Sequence, residues 1–196
     1  MIAETTQYRS TQQTGFTLVE LMIVMLIVGV FFAIFALTSA GSDNSAKAMA
    51  IIKASDDIGS SVSRLASSCG ISTTVASNPL PDSGKSLLDV VMLGESEMAA
   101  PYQKCWKQAS ARPLMDIAQK AGAAYKVQGY DLALTGGGTA PFSFTYSKVP
   151  DEIVLLAAQK YTPDLTALTA SDTASPKIRY GTATGGARDL TVLVRP

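Results

Sequence analysis

Histidine is absent from the 196 residues, and cysteine occurs only as Cys69 and Cys105. Without histidine the chain lacks the commonest general base and the commonest metal ligand. A Ser-His-Asp triad is excluded, plentiful though serine and aspartate are. Two cysteines are too few for a zinc site built mainly of thiolates. Charge of either sign is not in excess: 16 Lys+Arg balance 16 Asp+Glu, a formal net charge of zero. No global bias toward nucleic acid or toward cationic partners follows. No catalytic residue, metal site or cofactor is expected.

Motifs that resemble chemistry have simpler readings. Gly136-Gly137-Gly138-Thr139 lacks the lysine and the spacing of a phosphate loop and is expected to be a turn. Gly181 to Arg188 reads as a loop for the same reason. Asp56-Asp57 and Asp151-Glu152 read as solvated or helix-start charges rather than as paired catalytic carboxylates. Lys104, Trp106, Lys107 and Arg112 gather basic and aromatic side chains around Cys105. They offer phosphate contacts and stacking to nucleic acid, but a charged face with one packed tryptophan is the preferred reading.

What is present is one long apolar run. Mean hydropathy is +0.21 although 16% of the residues are charged, and the excess sits near the N-terminus. Phe16 to Leu37 reads FTLVELMIVMLIVGVFFAIFAL. These roughly 22 residues, at about 1.5 Å each, suffice as a helix to cross a bilayer core of about 30 Å. In lipid every backbone polar group must be paired within the segment, so the run is expected to be helical. The preceding Met1–Gly15 stretch is polar, unlike the basic start of a secretory signal. A conventional signal with cleavage near Ser39-Ala40-Gly41 and a plain anchor are the simpler alternatives. Neither accounts for Glu20, the one charged residue in the run. A carboxylate within an apolar span is costly, and such residues usually have a specific partner.

Gly15-Phe16-Thr17-Leu18-Val19-Glu20 resembles the signature of type IV pilins and related prepilins. The resemblance covers about 25 residues. It implies a leader, residues 1–15, cut between Gly15 and Phe16 by a prepilin peptidase on the cytoplasmic side. It implies N-methylation of Phe16, and Glu20 as the carboxylate that directs filament assembly. The physics is compatible. Glu20 lies one helical turn from the new amine of Phe16. Pairing of Glu20 with the amine of a neighbouring subunit in an apolar core would set the axial stagger.

The domain organisation expected is a leader (1–15), a transmembrane and filament-core helix (16–40) and a globular head (41–196). The long helix is expected to resume at about 45–69 in the head. Gly29 falls inside the apolar helix, either as a place where it extends or as a close-packing position. Thr38 to Ser45 predicts a kink or brief interruption. Ile51, Ile58, Val62, Leu65 and Cys69 then recur along one face, with Lys47, Lys53, Asp56, Ser60 and Arg64 on the other.

Beyond it, Gly70 to Lys85 reads as a loop, and Ser86 to Leu93 as a short apolar element of undecided type. Pro113 to Gly122 predicts a short helix. Strands are predicted at Ala124–Val127, Tyr130–Leu134, Pro141–Tyr146, Lys177–Tyr180 and Leu190–Val194. Pro150 to Ala158 predicts a helix or a buried strand, its proline and acids favouring the helix. The fold class expected is α+β, a long N-terminal helix packed on an antiparallel sheet. In the oxidising compartment beyond a membrane, Cys69 and Cys105 are expected to form a disulfide, with two buried free thiols as the alternative.

The resemblance implies a structural subunit of a type IV pilus. Its partners would be like subunits, the prepilin peptidase and an inner-membrane assembly platform with its ATPases. It would pass from the bacterial inner membrane to an extracellular filament. A type II secretion pseudopilin of the periplasm is the alternative, which a calcium site near the C-terminus would favour; the sparse acids there, chiefly Asp164, Asp172 and Asp189, show no recognisable ligand spacing. A membrane-anchored periplasmic enzyme or binding domain is the third reading.

Overall fold

The computed structural model describes residues 18–196, with side chains described outside 33–42. The expected leader lies outside the described residues. The chain divides into two compact units, with the boundary between Gly41 and Ser42. Helix α1, Leu18–Cys69, supplies residues to both. The interruption expected at 38–45 is not there, because the backbone is helical throughout. A glycine disfavours a helix interior by only about 1 kcal/mol and a serine by less. With helical turns on both sides, that penalty does not end the helix.

In the second unit, the α1 face predicted to be apolar is the buried one. Ile51, Ile58, Val62 and Leu65 are fully buried. They pack in one core with a six-stranded, wholly antiparallel sheet of order β1-β2-β3-β4-β6-β5. The strands are β1 Gln119–Ala121, β2 Ala124–Val127, β3 Tyr130–Gly136, β4 Phe142–Pro150, β5 Ile178–Tyr180 and β6 Ala187–Val194. Gly59 lets α1 approach the sheet closely. A Cβ there would stand 2.9 Å from Val194 Cγ1, nearer than packed carbons come.

Strand β4 lies between β3 and β6. Phe142, Phe144 and Tyr146 point into the core, while Ser143 and Thr145 are half-buried, as alternation predicted. A buried phenol needs a partner. Tyr146 Oη has two on α1: Ser55 Oγ at 2.8 Å and the Ile51 carbonyl at 3.3 Å.

The remaining helices are short: α2 Leu87–Leu93, α3 Gln103–Gln108 and α4 Asp151–Gln159. The undecided 86–93 element is thus helical, and so is 151–159. Helix α4 begins with Asp151 and Glu152, which suit the positive end of its dipole. It buries Ile153, Val154, Ala157 and Ala158.

Other predictions fail. Ala187 and Arg188, read as loop, begin β6. Pro113 to Gly122 is not a helix. Leu114 to Ile117 makes a turn, closed by the Ile117 N–H donating to the Leu114 carbonyl at 3.0 Å, and Gln119–Ala121 is strand β1. Ala121 pairs with Ala124 across the two-residue turn Gly122-Ala123. Gly122 sits at φ +65°, a conformation open to glycine at little cost. The glycine read as a helix stop is therefore a hairpin residue. A helix of two turns is too short to form on propensity alone.

Candidate functional site

The first unit presents a surface that water does not favour. From Leu18 to Phe32, large apolar side chains point outward on every side of α1. Their exposure runs from 43% at Val28 to 74% at Leu18. Leu, Met, Ile, Val and Phe on all faces give no polar stripe to meet solvent, unlike an ordinary amphipathic surface helix. Contiguous exposed apolar surface of this kind marks contact with a membrane or another protein. Glu20 alone among residues 18–32 is charged; it stands exposed in the first turn of α1.

Gly15 and Phe16 lie outside the described residues. Among the described residues, no helix is long and apolar enough to cross a membrane. The described side chains of the apolar stretch end at Phe32, and 33–37 of the expected span lie beyond them. Gly29 is helical, and a Cβ added to it would meet nothing within 4 Å.

In the second unit Cys69, the last residue of α1, is joined to Cys105 of α3 by a disulfide with Cα atoms 5.3 Å apart. The basic cluster around Cys105 does not form a stacking platform. Trp106 is only 7% exposed, and its ring lies about 3.5 Å from the position of a Cβ on Gly94. Lys107 Nζ is 3.9 Å from Glu95. Nucleic acid therefore has no exposed indole to stack on here.

The glycine run 136–138 is a turn, as expected. It ends β3 and is bonded to the 73–75 segment. The Val75 N–H donates to the Gly136 carbonyl at 2.9 Å, and the Gly138 N–H to Thr73 Oγ1 at 2.9 Å. The adjacent acids do not act as pairs. Asp56 meets Lys177, Asp57 meets Lys53, Asp151 meets Arg188, and Glu152 accepts from Asn44. Asp172 accepts from the Ala174 and Ser175 N–H groups, and Asp189 from the Lys148 N–H. Among the described residues, Asp164, Asp172 and Asp189 form no metal-binding group.

Two polar hubs were not expected. Arg188, on β6 and 8% exposed, donates through Nε to Asp151 at 2.9 Å. Its Nη1 donates to the Thr169 and Ala170 carbonyls at 2.6 and 3.0 Å. It thus ties the start of α4 and the 169–170 loop to the sheet.

The second hub is Asp89. It closes a capping box with Ser86 at the start of α2. It also accepts from Lys120 Nζ and Tyr125 Oη, each at 2.7 Å. The Ser-x-x-Asp spacing of a capping box was readable in the sequence; the lysine and tyrosine from strands were not. Burial alone would raise the Asp89 pKa. Hydrogen bonds from Lys120, the Ser86 N–H, Tyr125 and the Ser86 hydroxyl outweigh it and hold the carboxyl well below its ordinary range.

A depressed folded-state pKa adds stability above the unfolded value of about 3.9, and that stability is lost as pH falls below it. Asp89→Asn should therefore cost about 2 kcal/mol at neutral pH. It should also flatten the decline of melting temperature between about pH 5 and pH 2. Melting curves of both proteins across that range test this, and parallel acid limbs would refute it.

Residues 10–36 match a family model described as the prokaryotic N-terminal methylation motif. Neither a curated protein nor a solved structure matches the chain. The matched segment contains Gly15, Phe16 and Glu20, and its residues 18–32 form the exposed apolar stretch of α1.

Proposed function

We propose, on the premise that the chain carries the type IV prepilin signature over residues 10–36, that it is a structural subunit of a type IV pilus. The observation that carries this reading is the apolar helix surface from Leu18 to Phe32, exposed on every side, with Glu20 in its first turn. A surface of that kind has two natural surroundings. One is lipid, and the other is a bundle of like helices. A prepilin uses them in succession.

In this reading the leader 1–15 is cut after Gly15, and Phe16 becomes an N-methylated terminus. Residues 16–40 hold the subunit in the bacterial inner membrane. An assembly platform with its ATPases then extracts it, and the helices stack as the core of an extracellular filament. Glu20 pairs with the amine of a neighbouring subunit and sets the stagger. The head, 41–196, becomes the filament surface. Its role is structural rather than catalytic. Mass analysis of the mature N-terminus tests the scheme. The expected chain begins at methylated Phe16, and a chain beginning at Met1 or after Ala40 would overturn it.

A further inference from the structure

A cleft of about 890 Å³ lies where β4 and β5 begin and β6 ends. Lys177, Arg179 and Arg195 line it, and no acidic side chain does. Three other clefts of the same unit mix signs. One sets Lys148 and Arg188 beside Asp189, and another sets Lys53 and Lys160 beside Asp56. The third sets Arg64 and Arg112 beside Asp57 and Asp116. In a chain of zero net charge, the charged side chains lining this cleft are thus all cations, with Pro196 completing its wall. Cleft walls of low dielectric concentrate such a field.

The cations are unequally engaged. Lys177 Nζ lies 3.1 Å from Asp56 Oδ1, which partly neutralises it. Arg179 donates through Nε to the Ser175 carbonyl at 2.9 Å. Among the described residues its terminal nitrogens have no partner, and neither does Arg195. Two guanidinium forks are the donor set that matches a tetrahedral or planar oxyanion. The volume is more than an oxyanion alone needs and lies within the range of about 300–1,000 Å³ typical of small-molecule sites. Pro141 and Pro176 offer rigid apolar wall, and Thr139 offers a hydroxyl.

We propose that this cleft binds a saccharide bearing a sulfate or phosphate group, the oxyanion held by Arg179 and Arg195 and the ring set against Pro141 and Pro176. The inference does not depend on how the N-terminus is processed. Calorimetric titration of the full chain in non-ionic detergent tests it with three probes: a sulfated disaccharide, its unsulfated parent and inorganic phosphate. The sulfated disaccharide should bind, and more weakly as salt is raised. The parent should bind at least about tenfold less tightly. Arg195→Gln, at the exposed residue just after β6, should lose about tenfold in affinity, and Arg179→Gln with Arg195→Gln more. Arg64→Gln, in a cleft of mixed sign, should leave affinity unchanged. The single Arg195→Gln variant decides the matter if the double variant does not fold. Unchanged affinity in Arg195→Gln, or no binding of any probe by the unaltered chain, would overturn the proposal. Phosphate binding as tightly as the disaccharide would overturn the saccharide and leave a free oxyanion as the ligand.

Discussion

Glu20→Ala should leave the subunit in the membrane fraction at its normal level and abolish filaments. The reasoning begins with cost. A carboxylate at the centre of an apolar phase costs about 3 kcal/mol on insertion scales, so removing it does not weaken membrane storage. In a stacked core the same carboxylate is useful because it is costly. Only a stagger that brings it a cation relieves the penalty, and every other stagger is disfavoured. Alanine removes the penalty and the selection together. The helices around it, Leu18 to Phe32, remain as apolar as before and associate without a preferred register. Membrane fractionation measures the first half of the expectation, and electron microscopy of sheared filaments measures the second. Normal filaments at normal subunit levels would sink the role proposed for Glu20.

Replacing both cysteines by serine should lower the stability of the head by about 4 kcal/mol. The Cys69–Cys105 link closes a loop with a sequence separation of 36. For a loop of that length the chain-entropy model gives a little under 4 kcal/mol, most of it through the unfolded state. For a chain of this size that is a fall in melting temperature of roughly 10 °C. The consequence is also local. Helix α3 buries only Cys105 and Trp106, so little besides the link holds it to the end of α1. Thermal unfolding of the unaltered chain, with and without a reductant, and of the double variant measures the effect. Equal melting temperatures in all three would refute it.

Where side-chain patterns repeat, the fold was legible. The period of Ile51, Ile58, Val62 and Leu65 marked the buried face of α1, and the alternation around Phe144 marked β4. Ala124–Val127 coincides with β2, and Gln128-Gly129 is the turn after it, both residues at positive φ. Legibility ended where an element owes its form to its neighbours. Strand β1, Gln119–Ala121, is exposed throughout and has no apolar alternation; it exists by pairing with β2. Helix α3 is six mostly polar residues. The Arg188 and Asp89 hubs join residues from separate elements, and nothing local announces such partners. The candidate site divides the same way. The prepilin signature is a local string and was read from Gly15, Phe16 and Glu20. The exposure of the apolar helix on all sides became visible only in three dimensions.

The two edges of the sheet carry a last consequence. Strands β1 and β5 are each three residues long. Lys120 sits in the middle of β1, and the bridge between Asp172 and Tyr180 occupies part of the outer side of β5. Long bare edges recruit strands from other molecules, and short edges with a lysine resist this. In a polymer, heads are crowded at concentrations no free protein reaches. A head with blunt edges stays its own molecule under that crowding. In the filament proposed above, cohesion would then be confined to the helices and the subunits would remain separable.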